Sequence, residues 1–110
     1  MSTFSPYTQL FIRIDGMTIC LKLADIIYLE AYGKQVKIVT TKGTYLPYAS
    51  LTHLEEGLYP EVFWRVHRSF IISKWHITTI KDSCINMDVH TIPIGESYEK
   101  EIFNNTRPLN

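Results

Sequence analysis

Alternation with a period of two constrains this chain more than any other feature. Leu10, Ile12 and Ile14 alternate with Gln9, Phe11 and Arg13, and the stripe resumes at Met17, Ile19 and Leu21 beyond Asp15 and Gly16. Successive side chains on a strand point to opposite faces, so this pattern predicts two strands with one buried face each. Asp-Gly between them is a strong hairpin signal, because glycine accepts the positive φ of a tight turn. The same reading predicts strands at 26–31, 35–41, 44–47, 62–66, 70–73, 77–81 and 85–89. Turns are expected at Gly33 and Lys34, at Lys42 and Gly43, at 82–83 and at 88–91. One helix is credible after Ser50, a capping residue, since Leu51, Leu54 and Leu58 share a face and Pro60 follows. A second short helix is expected over 95–103, with a frayed tail at 104–110. Many short strands with regular turns predict an all-β, sandwich-like domain with minor helices.

A chain of 110 residues with 45% hydrophobic content fits one domain with a single core. The apolar runs are too short to span a membrane, and the N-terminus carries no basic region followed by an apolar stretch. Cys20 and Cys84 read as free, buried thiols in a reducing cytosol. Eleven basic residues oppose 11 acidic ones, giving a formal net charge of zero. Nucleic-acid binding needs a basic face, so distribution matters more than the total. Between 33 and 76 lie Lys34, Lys37, Lys42, Arg65, Arg68 and Lys74 against Glu55, Glu56 and Glu61. Whether those bases share a face is a question for the structure.

The chain carries no motif for catalysis. His53, His67, His76 and His90 have no metal-ligand spacing and read as hydrogen-bonding or surface residues. No paired-cysteine, phosphate-loop or dinucleotide-binding motif is present, and nothing local supports a Cys/His nucleophilic pair. No enzyme activity, metal or cofactor is expected. The aromatics, Trp64 and Phe70 among them, follow strand alternation and read as core packing rather than as a stacking row for single-stranded nucleic acid. One segment stands apart. Residues 63–72 hold Arg65, His67, Arg68 and Ser69 between apolar runs, and a strand can bury the latter while presenting the former to phosphate or base edges.

That segment, with Ile92-Pro93-Ile94-Gly95 and Ser97-Tyr98 downstream, resembles the LytTR family of bacterial DNA-binding domains. The resemblance runs from about 10 to 103 and includes the N-terminal hairpin, Ile26-Ile27-Tyr28-Leu29-Glu30-Ala31, 33–41 and the leucine-faced helix. It leaves 1–9 as an N-terminal extension and 104–110 as a tail. The resemblance implies a mainly β fold, an elongated arrangement of small antiparallel sheets with one or two short helices. It implies loops along one side entering successive major grooves, and transcriptional regulation without catalysis. Its expected partner is double-stranded DNA with repeated half-sites, bound by a homodimer that forms on the DNA. The resemblance leaves two alternatives, an output domain joined to a receiver domain in a longer chain or a free-standing regulator, and the cytoplasm is the expected location.

By the same resemblance three segments face DNA. The first is Lys34, Gln35, Val36 and Lys37, where valine would touch only a thymine methyl. The second is Arg65, His67, Arg68 and Ser69. Arg68 has the donor fork for phosphate or a narrow minor groove, while Arg65 has the alternative of pairing with Glu61. The third is Glu96, Ser97 and Lys100, with Tyr98 packing through its ring. The family usually has a base-reading arginine at the place of Glu96 and a basic residue at that of Glu99. Glutamate there either accepts from a cytosine amino group or sits at the positive end of a helix dipole. Glu96, Glu99 and zero net charge support a second hypothesis, a protein-interaction module of the same fold without DNA recognition.

Overall fold

The computed structural model describes residues 8–110. The N-terminal hairpin pairs β1 (Gln9–Ile14) with β2 (Met17–Lys22), in register from Gln9 opposite Lys22 to Ile14 opposite Met17. Asp15 and Gly16 both have positive φ, 51° and 78°, the two-residue turn whose twist matches that of the strands it joins. A five-stranded antiparallel sheet forms the middle of the molecule. It contains β3 (Ile26–Tyr32), β4 (Gln35–Thr40), β5 (Gly43–Tyr45), β6 (Phe63–His67) and β7 (Phe70–Ser73), in the order β5-β4-β3-β7-β6. A smaller sheet holds β8 (Thr79–Lys81), β9 (Cys84–Met87) and β10 (His90–Pro93). Two short helices, α1 (Leu51–Glu56) and α2 (Glu99–Asn105), complete the fold.

Strand alternation sends neighbouring residues of the central sheet into different cores. Ile71 packs with Leu29, Val36, Ile38 and Phe63 against Leu10, Ile12 and Leu21 of the hairpin and Leu51 and Leu54 of α1. Ile72, the next residue, packs with Val66 against Ile85, Met87 and Ile92 of the small sheet and Ile102 of α2. The hairpin and α1 therefore cover one face of the central sheet, and β8, β9, β10 and α2 cover the other. The sandwich expected from turn spacing is a three-layer stack with two cores. In β3 a register shift between Ile26 and Tyr28 lets Ile26 and Leu29 face the same core, although they stand an odd number of positions apart.

Most expected elements are present with shifted ends. Ser50 Oγ accepts from the His53 amide at 3.1 Å and starts α1 as predicted. The strand expected at 77–81 begins only at Thr79, because Lys74–His76 forms a 3₁₀ turn and His76 Nε2 lies 2.9 Å from the Ala24 carbonyl. The turn expected at 88–91 is tighter: Asp88 takes a φ of 60°, and the chain re-enters the sheet as β10 at His90. The last helix reaches Asn105, so the tail expected from 104 starts later, after Thr106 Oγ1 donates to the Ile102 carbonyl at 2.7 Å. Cys20 and Cys84 are both free, but Cys20 is exposed rather than buried, since it faces away from the core beside Leu21.

Ile71→Ala and Ile72→Ala should each cost about 2–5 kcal/mol in denaturant unfolding, because each leaves a cavity in a different core. Amide exchange should separate them. Ile71→Ala should loosen β1 and β2, and Ile72→Ala should loosen β9 and β10. Identical exchange maps for the two variants would show the layers to be one cooperative unit.

Candidate nucleic-acid interface

Register brings the predicted segments to one end of the central sheet. β3 is antiparallel to both β4 and β7, with Tyr32 opposite Gln35 and Glu30 opposite Phe70. The Ala31 amide donates to the Ser69 carbonyl at 2.9 Å, so the β3–β4 turn and the β6–β7 turn open side by side. Gly33 supplies the positive φ, 63°, that the first turn requires. The third segment is attached through a bulge. In β6 the pairing skips from Arg65 to His67, leaving Val66 as the extra residue. The freed Val66 carbonyl accepts from the Gly95 amide at 2.7 Å. A Cβ on Gly95 would sit 3.1 Å from the Tyr98 ring and 3.4 Å from His67 Cα, so any larger residue would have to displace the Tyr98 ring by a few tenths of an ångström. The 3₁₀ turn Glu96–Tyr98 and then α2 follow directly, placing Glu96 and Ser97 beside the β6–β7 turn.

The first segment divides by strand face. Lys34 is exposed at the turn, and Gln35 is half-buried, its Nε2 donating to the Leu46 carbonyl at 2.9 Å. Val36 corrects the sequence reading. Its side chain is 0% exposed in the first core, so it has no surface to offer a thymine methyl. Lys37 points the other way, with Nζ 4.7 Å from the centroid of the Tyr32 ring. Glu30 lies directly opposite it across the ladder. Burial and then the charge of Glu30 push the Tyr28 hydroxyl above its ordinary pKa.

The second segment assigns its two arginines different tasks. The Arg65 guanidinium meets Glu55 Oε1 of α1 at 2.7 Å, donates from Nε to the His67 carbonyl at 3.0 Å, and reaches the Arg68 carbonyl from Nη2. Arg65 is thus a brace for the turn, and its acidic partner is Glu55 instead of Glu61, because α1 packs beside β7 and brings Glu55 over the sheet. His67 Nδ1 accepts from the Ser69 amide at 3.0 Å, and its ring packs edge-on against Phe70, 5.5 Å between centroids. Arg68 is exposed at the tip, and its guanidinium has no hydrogen bond or ion pair among the described residues. In the third segment Glu96, Ser97 and Lys100 are exposed, and Glu96 occupies the first turn of the 3₁₀ helix. Glu99 accepts from Ser83 Oγ at 3.0 Å, which turns its carboxylate toward the β8–β9 turn.

The six bases counted between 33 and 76 do not share a face. Lys42 sits at the opposite end of β4, 3.6 Å from Asp25, and Lys74 follows the far end of β7. What remains at the near end is Lys34, Lys37 and Arg68, with Lys100 one turn into α2, against Glu30 and Glu96. Sequence reasoning passed over Tyr32, which is 51% exposed beside Lys37. Its signal was an aromatic directly before a turn glycine, where core packing has no use for it.

Replacing the two arginines should therefore do different things. Arg65→Ala should cost about 2 kcal/mol in thermal or chemical unfolding, because it strips charge-assisted bonds from two turn carbonyls and leaves Glu55 unpaired. Arg68→Ala should stay within about 0.5 kcal/mol, as expected for a surface side chain without partners. Equal destabilisation by the two would contradict this division.

Among the described residues no group of acidic, histidine and cysteine side chains is arranged to hold a metal ion. A family model described as the LytTr DNA-binding domain matches residues 16–106. The chain is 31% identical over 100 residues to the sensory transduction protein LytT of Bacillus anthracis, an alignment covering 86% of this chain and 41% of that protein. It is 36% identical over 70 residues to the sensory transduction protein LytR of Staphylococcus epidermidis, covering 64% of this chain and 28% of that one. The chain thus spans about two fifths, 41%, of the first of these relatives. A solved LytTr DNA-binding domain from Bacillus cereus superposes with a TM-score of 0.77 at 26% identity, covering 89% of this chain and 95% of its own. With a match over most of its length and the same architecture, this chain belongs to the LytTr DNA-binding domain family.

Proposed function

We propose that this domain binds double-stranded DNA sequence-specifically, as the output domain of a bacterial transcriptional regulator. One observation carries the reading. Three separate polar segments are held at one end of the central sheet by backbone bonds from Ala31 to Ser69 and from Gly95 to Val66. A duplex offers phosphates and groove edges at several points along its surface, and side-by-side loop tips match that better than one pocket does. Arg68 is the principal contact, with a free guanidinium suited to phosphate or to a narrow minor groove. Lys34, Ser69, Ser97 and Lys100 add phosphate contacts. Gln35 keeps its amide oxygen for a base or phosphate donor while Nε2 holds Leu46. Lys37 contributes charge and is steadied by Tyr32. Arg65 and His67 position the turn that carries Arg68. Glu96 acts in the first turn of its helix and lowers general affinity for phosphate, leaving discrimination to its neighbours.

The relatives that match are sensory transduction proteins and a CO-responsive transcriptional regulator, each longer than the matched stretch. Those names support a role in sensory transduction and transcriptional regulation. We extend it to a cytoplasmic regulator, with a receiver domain in a longer chain or free-standing, whose paired domains occupy repeated half-sites. Among the described residues no helix is long and apolar enough to cross a membrane. A second reading, a protein-interaction module of this fold, draws on the two carboxylates at the same end, Glu30 and Glu96, and on zero formal charge.

Salt dependence on random duplex DNA separates the two. For a binder, log affinity should fall linearly with log salt, by about 0.9 for each phosphate neutralised. Arg68→Ala should weaken binding to most sequences and reduce that slope by about one contact. Glu96→Arg should strengthen binding to random duplex. No binding to any duplex at low salt would decide for the interaction module. A Glu96→Arg variant that loses only a selected high-affinity site would make Glu96 a base reader.

A further inference from the structure

We propose that the tip of the β1–β2 hairpin is a fourth DNA contact, with Arg13 gripping a backbone phosphate beyond the one held at the β3–β4 turn. The inference rests on the DNA-binding reading above and extends it to residues upstream of the family match, which begins at 16. Three observations point to Arg13. Its side chain is exposed near the end of β1 and, among the described residues, makes no ion pair or hydrogen bond. It lines an open cleft with Asp15, Gln35, Leu46 and Tyr48, so the hairpin tip stands next to a residue of the first DNA-facing segment. The cleft is built, because Gln35 Nε2 bonds the Leu46 carbonyl, Gln35 pairs with Tyr48, and the Val36 amide donates to the Pro47 carbonyl at 3.0 Å.

The layered fold shows what this adds. The β1–β2 tip belongs to the first layer, the β3–β4 and β6–β7 turns to the central sheet, and the Glu96 turn to the third layer. Stacked sheets lie roughly 10 Å apart, so Arg13 extends the strip by about one such step. Phosphates on one strand recur about every 3.4 Å, so the step reaches roughly three nucleotides further along the backbone. The guanidinium fork suits a phosphate, and the Tyr48 side chain, 79% exposed across the cleft, offers a hydroxyl donor to the same group. Asp15 is the carboxylate in this cleft and opposes the contact. The tight Asp15-Gly16 turn fixes where both side chains leave the backbone.

The test measures affinity for random duplex DNA across a salt series for the whole chain and for Arg13→Ala, Arg13→Lys, Lys22→Ala and Arg68→Ala. Lys22 is exposed at the opposite end of the same hairpin, so its removal changes net charge equally without touching the tip. Arg13→Ala should weaken binding several-fold and lower the salt slope by about 0.9, one phosphate contact. Arg13→Lys should keep the slope, Lys22→Ala should leave it unchanged, and Asp15→Asn should strengthen binding. The inference is overturned if Arg13→Ala binds like the parent while Arg68→Ala is impaired, an outcome that leaves the DNA-binding reading intact. Equal losses from Arg13→Ala and Lys22→Ala would also overturn it, as an effect of charge alone. If the parent binds no duplex, both fall together.

Discussion

The pairing of β3 with β7 holds the candidate site in place. Glu30 lies opposite Phe70, and the Ala31 amide bonds the Ser69 carbonyl one step beyond, just where the two hairpins turn. β3 and β7 are distant in sequence, so this pairing carries a loop-closure cost that local hairpins avoid. Burial of Leu29, Ile71 and Ile72 between the layers offsets it. A slip of one residue would send Ile71 to the second core and Ile72 to the first. It would also move the β6–β7 turn along β3, separating Arg68 from Lys34. Core packing and the spacing of the polar tips are therefore set by the same register.

One departure from regular pairing, and the arginine that spans it, convert that sheet into a site. The extra residue at Val66 takes one carbonyl out of the ladder and gives it to Gly95. Without it, among the described residues, the third layer would meet the central sheet through apolar packing and the Tyr28–His90 ring contact, which fix position less sharply than a directed bond. Arg65 then spans the same irregularity, linking α1 to two carbonyls of the turn. Lysine could not replace it, since one ammonium lacks the planar fork that satisfies three acceptors at once. The arginine that builds the turn is thereby spent, and the exposed Arg68 is left to meet a partner.

Distance explains how a neutral chain can present a basic strip. β4 is six residues long, about 20 Å at roughly 3.3 Å per residue, so Lys42 lies about that far from the Gln35 end. At physiological ionic strength the Debye length is about 8 Å, and charges at the far end are largely screened from a ligand at the near end. Net charge over the whole chain therefore says little about the field at the tips. The local balance of Lys34, Lys37 and Arg68 with Glu30 and Glu96 says more. Three bases against two acids is a small excess, so the proposed contacts depend on correct placement of each side chain more than on bulk attraction.

That argument also marks where the sequence stopped being legible. Alternation at 9–21 and the leucines of α1 were readable because period and turn chemistry are local. The layer order was not, because adjacent residues such as Ile71 and Ile72 look identical until each has a core to enter. Val36 shows the same limit at the site. The resemblance put it among the residues facing DNA, but its strand phase, shared with Ile38, sends it inward under the hairpin. The partner of Arg65 was misread for a related reason: Glu61 is nearer in sequence, whereas the fold of α1 onto the sheet delivers Glu55. Arg13 is the converse case. In sequence it is one polar residue in an alternating strand, far from every segment proposed to face DNA. Only the stacking of the hairpin on the central sheet places it beside Gln35. Residues that act through neighbours in the chain can be read from the chain, and those that act through layers must wait for the layers.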